Sequence, residues 1–82
     1  MSEEMASRTD TVEIYVPLLN EGTDVCRPTK GLPLGPMRFK ILPTADYSAE
    51  LEEWEFPPGS VVECKIEKRD NREVLVARSQ VP

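Results

Sequence analysis

Histidine is absent from this 82-residue chain. The commonest general base goes with it, and so do the Ser-His and Cys-His nucleophile pairs. Cysteine occurs twice, as Cys26 and Cys64, which without histidine falls short of the four ligands of a structural zinc site. Neither a GxGxxG run nor a P-loop is present, because GLPLG has the wrong spacing and no following Lys-Ser or Lys-Thr. No cofactor and no metal is expected, and the chain reads as a non-enzyme. Long apolar runs are missing too. Nothing approaches the ~20 residues of a spanning helix, so no membrane partner is expected. The opening MSEEMASRTD lacks the cationic start and apolar core of a secretion signal. A cytoplasmic location is expected, with both cysteines reduced and packed as small hydrophobes. A basic excess is lacking as well. Fifteen acidic residues against ten basic leave a net charge of −5, which disfavours nucleic acid, since neutralising phosphates supplies most of that affinity.

What is present is strand patterning on a small scale. A chain this short buries only about 60% of the surface its unfolded form exposes, so apolar side chains are scarce. Tyr15, Phe39, Tyr47, Trp54 and Phe56 are the whole aromatic complement, and burial is the first expectation for Trp54. Residues 1–9 are polar and aperiodic and read as a tail, 10–79 as one domain, and 80–82 as a short end. In TVEIYVP, Val12, Ile14 and Val16 alternate with Glu13 and Tyr15, the period of a half-buried strand. Pro17 is expected to end that strand or mark a sheet edge. Asn20, Glu21 and Gly22 form a turn cluster. TDVCRPTKGL is a second strand that Pro28 confines to an edge or bulge, and GLPLGP reads as a loop. MRFKIL alternates Met37, Phe39 and Ile41 against Arg38 and Lys40.

From Ser48 to Phe56 two readings stand. SAELEEW fits one or two helical turns with Ser48 as N-cap, whereas EEWEF run extended puts Trp54 and Phe56 on one side. Beyond the Pro57–Gly59 break, Val62, Cys64 and Ile66 alternate, and EVLVARS returns after the turn formers Asp70 and Asn71. A two-residue loop would pair Ile66 with Leu75, and a three-residue loop would set Val76 opposite Ile66. Short strands separated by turn signals predict an all-β fold, or mostly β with one short helix. The architecture expected is a small SH3-like barrel of about five antiparallel strands.

EGTDVCRPTKG and EEWEFPPGSVVECK, with the MRFKIL strand between them, resemble stretches of short bacterial proteins that have no assigned activity, some of the kind carried on mobile gene cassettes. The resemblance covers most of 11–65. It implies a small bacterial β-domain and transfers no catalytic residue. Relatives of this type often carry Trp at the position of Cys26, so the smaller side chain here puts a binding surface centred on that position in doubt.

Three functional classes follow. The leading one is a non-catalytic interaction or adaptor domain that binds another protein or itself, with Arg27, Arg38, Tyr47 and Trp54 as candidate contacts. Arg27 beside Pro28 reads first as a structural cation paired with a carboxylate such as Asp24, and second as a bidentate contact to a partner. The acidic run holding Asp46, Glu50, Glu52, Glu53 and Glu55 reads as a solvated face, or as a patch steering a basic partner. The alternative is a nucleic-acid-binding barrel using Lys65, Lys68, Arg69 and Arg72 on the last hairpin, weakened by the lack of any aromatic there. A small-ligand or enzymatic domain is the third, and it would need a pocket lined by convergent polar groups.

Overall fold

A computed structural model describes residues 10–19 and 25–81. The expected tail at 1–9, the turn at Asn20–Gly22 and the carboxylate of Asp24 lie outside the described residues. The fold is all-β: β1 Val12–Leu19, β2 Cys26–Gly35, β3 Arg38–Ile41, β4 Glu53–Trp54, β5 Val61–Arg69 and β6 Arg72–Gln80. Along the sheet the order is β2-β3-β5-β6-β1-β4, and β1 also pairs with β2. Five strands therefore close a ring. The closing β1–β6 pair is parallel and rests on Tyr15 opposite Val76, where an antiparallel set was expected. The other pairings are antiparallel.

GLPLGP, expected as a loop, is mostly strand. Gly31 pairs with Val12 on one side and Ile41 on the other, so β2 changes neighbour there. A Cβ at Gly31 would lie 3.0 Å from both Ile14 Cδ1 and Phe39 Cβ, which is why the corner takes glycine. Pro28 precedes the first β2–β3 pair and Pro33 follows the last β1–β2 pair. Each proline thus faces an open edge, where its missing N–H leaves no ladder bond unmade. Pro17 does not end β1. Its carbonyl accepts the Glu55 N–H at 2.9 Å, and the strand passes from β2 to β4.

The core gathers Ile14 and Val16 from β1, Phe39 and Ile41 from β3, Trp54, Phe56, Val62 and Cys64, and Ala77 from β6. Alternation held for Ile14 and Val16, for Phe39 and Ile41, and for Val62 and Cys64. It failed at Val12 at the start of β1, at Met37, which precedes β3 with φ 62, and at Ile66, which is 60% exposed. The β3–β5 pairing stops at Glu63, so the β5–β6 hairpin runs on past the ring and its inward face loses its cover. Ile66 pairs with Leu75, the register of a two-residue loop. Asp70 at φ 51 and Asn71 at φ 65 form that loop as a type I′ turn, whose twist matches the strands it joins. Between Ser48 and Phe56, Ser48 O accepts the N–H of Leu51 and of Glu52, closing one turn. The chain then extends, and Trp54 and Phe56 are both buried, as the extended reading requires.

Candidate functional site

Three of the four interaction candidates come together, but in the service of the fold. Trp54 is 4% exposed and its ring meets Tyr47 edge-on, centroids 4.8 Å apart. The indole N–H donates to Glu52 Oε1 at 3.0 Å. Arg27 Nε donates to the same oxygen at 3.1 Å, and Arg27 Nη2 donates to Oε2. One carboxylate thereby satisfies a buried donor and fixes a guanidinium, clasping the acidic turn against β2. Arg27 finds its partner in Glu52. Arg38 stands apart, 3.6 Å from its cross-strand partner Glu63, with both side chains 51% exposed. A pair that open contributes little.

The second set fares differently. Lys68, Arg69 and Arg72 line a concavity of about 500 Å³ together with Tyr15, Cys26 and Asp70. Lys65 is exposed on the same hairpin and does not line it. Tyr15 occupies the polar side of the alternating β1 pattern, so its ring stands opposite the core. Arg72 Nη2 donates to the Tyr15 hydroxyl at 2.8 Å, which leaves the phenol's own O–H as a donor. Arg69 and Arg72 are direct cross-strand partners flanking the turn. Glu67 is engaged bidentately by Arg78, at 2.5 and 2.7 Å, with Arg69 Nη2 farther away at 3.7 Å. Arg78, first through its hydrogen bonds and then through its charge, holds the Glu67 carboxyl below its ordinary range.

Among the described residues, the lining sets three cations and a phenol against one carboxylate, Asp70. Such a site can hold an anion. No family model, curated protein or solved structure matches this chain. Every residue role assigned to it therefore comes from its own geometry.

Tyr15 was not among the candidate contacts named from sequence, although an aromatic on the polar side of a strand in a protein short of core was a signal for it. Cys26 was raised only as a position where the smaller side chain puts a binding surface in doubt; it shares its strand's outward side with Pro28 and enters the concavity through the closure of the ring. The two thiols differ in setting. Cys64 is buried and its thiol is pushed up to about 11 by desolvation, while Cys26 is partly accessible at the concavity.

Proposed function

We propose that this chain is a non-catalytic interaction domain whose concavity between β1 and the β5–β6 hairpin docks an acidic protein segment. One observation carries the reading: Lys68 and Arg72 line one concavity with the Tyr15 hydroxyl, which Arg72 holds in place. Carboxylates seated there would accept charge-assisted hydrogen bonds from a preset frame. The extent of the positive surface favours a short protein segment over nucleic acid. A nucleic acid presents a train of phosphates and calls for a basic track with stacking platforms. Here the cations cluster at one concavity of a chain with net charge −5, and its single aromatic is half-buried and already bonded to Arg72.

The test is an anisotropy titration with a labelled glutamate-rich peptide at low salt, alongside iodoacetamide labelling of the native protein. The expected result is binding that weakens as salt rises and protects Cys26, with Cys64 unlabelled throughout because its thiol stays protonated. Lys68→Gln with Arg72→Gln should lower peptide affinity about tenfold or more. Peptide binding indifferent to those substitutions would refute the assignment, and so would a mixed single-stranded oligonucleotide pool that outcompetes the peptide.

A further inference from the structure

We infer that the protein forms a two-fold dimer through the inward face of the overhanging β5–β6 hairpin, where Ile66 of one copy packs against Ile66 of the other. The inference stands apart from the concavity, which lies with Tyr15 and Arg72 on the outward side of the same hairpin. Ile66 pairs with Leu75, and the next pair on that inward side, toward the tip, is Lys68 with Glu73. Leu75 packs against the core of its own copy, whereas Ile66 is 60% exposed. Leaving an isoleucine so open forgoes burial in a chain with few apolar side chains.

Ile66 is not isolated. Among the described residues seven large apolar side chains are exposed, and four of them, Val12, Leu34, Met37 and Ile66, lie at the end of the ring from which the hairpin projects. Met37 is placed there by its carbonyl, which accepts the Cys64 N–H at 2.8 Å. Leu34 sits in the bulge just before the same turn. The parallel closure brings Val12: from Tyr15 back to Val12, β1 runs toward the same end as β6 does from Val76 back to its turn. Exposed apolar surface gathered at one place marks an interaction site.

Charge selects a second copy over a partner of one sign. Lys68 and Glu73 are direct cross-strand partners, so the tip presents one cation and one anion on the side that carries Ile66. A strongly acidic or basic partner would gain from one and lose to the other. A copy turned about a two-fold axis sets each Lys68 against the Glu73 of the opposite copy, while Ile66 meets its own image. The patch is self-complementary, so the contact is isologous and closes at two copies. It is small beside a permanent interface, and a weak dimer is expected. Lys68 also borders the concavity, so Ile66 is the cleaner probe.

Sedimentation equilibrium of the full chain from micromolar to millimolar protein tests this. The weight-average mass should rise toward that of the dimer and no further, and high salt should weaken the dimer only modestly because its centre is apolar. Ile66→Glu should associate about tenfold or more weakly, since it brings two like charges together at that centre. The side chain it replaces is exposed, and an unchanged urea midpoint confirms an intact fold. Lys68→Glu and Glu73→Lys should each dimerise more weakly than the wild type when alone. Mixed in equal amounts, they should form a heterodimer tighter than either homodimer, because both crosswise contacts regain opposite charges. A strict monomer at the highest concentration would overturn the inference. So would growth beyond two copies, a dimer indifferent to Ile66→Glu, or a mixture no tighter than its components. The glutamate-rich peptide should bind Ile66→Glu as it binds the wild type, which keeps a failure of the dimer distinct from a failure of the concavity.

Discussion

Glu52 is the most informative single position, because one carboxylate serves two donors of different character. Glu52→Ala removes the acceptor of the Trp54 N–H, on a ring that is 4% exposed. A buried donor left without a partner costs about 1–3 kcal/mol. The Arg27 pair goes as well, but the Arg27 side chain is 44% exposed, so water screens it and its share is at most about 1 kcal/mol. The expected loss is about 1–4 kcal/mol, the sum of the two contributions. In a domain of this size that lowers Tm by about 4 °C or more, since each kcal/mol shifts it by about 4–8 °C. Glu52→Gln keeps an oxygen for the indole and forfeits only the charge, so it should cost about 1 kcal/mol. Urea unfolding followed by the fluorescence of Trp54, the sole tryptophan, measures both. In a Trp54→Phe background the alanine substitution should cost only the ion-pair share. Equal losses for Ala and Gln, within about 0.5 kcal/mol, would show that the indole bond is not what makes Glu52 matter.

Two further tests address the corner and the hairpin. Gly31→Ala places a methyl 3.0 Å from Phe39 Cβ, which is anchored to the backbone and cannot swing aside, so a loss of about 1–3 kcal/mol in urea unfolding is expected. A neutral outcome would mean that the ring closes more loosely than Gly31 indicates. For Glu67, the native carboxyl titrates below its ordinary value of 4.5, chiefly through its hydrogen bonds to Arg78. Its contribution is fully present above that value and is lost as pH falls through the lowered native one. The stability gap between the wild type and Glu67→Gln should hold from neutral pH down to about 5 and close in stronger acid. A gap that stays constant or widens toward pH 2 would contradict the pairing.

Much of the fold was legible because its rules are local. Alternation put Ile14, Val16, Phe39, Ile41, Val62 and Cys64 inside, and that is where they are. Asp70-Asn71 carries the chemistry of a type I′ turn, and that turn fixes Ile66 opposite Leu75. What could not be read depends on which strand lies beside which. GLPLGP looks like a loop because Pro and Gly are counted as breakers. Their places in β2 make sense only once β1 is known to leave on one side of Gly31 and β3 to arrive on the other. Ile66 continues the inward pattern but outruns the ring that would cover it. The interaction candidates divide the same way. Trp54 and Arg27 were recognisable as noteworthy residue types, but that both would converge on Glu52 needed the turn to fold back on β2.

The concavity was the least legible feature, and the reason is topological. Its central contact joins Tyr15 to Arg72 across 57 positions of sequence. Parallel closure between the first and last strands is what brings them together, and a parallel pair leaves no turn signal behind it. That closure consists of one bridge, Tyr15 to Val76, reinforced on the polar side by the Tyr15–Arg72 hydrogen bond. Ring closure and the candidate site therefore share residues. Lys68 and Arg72 stand where β1 and β6 share a single bridge, so an anion joining Arg72 and the Tyr15 hydroxyl would act as a second fastening between β1 and β6. If the proposed segment binds there, binding and closure are linked by mass action, each favouring the other, so occupancy of the concavity would raise the stability of the ring.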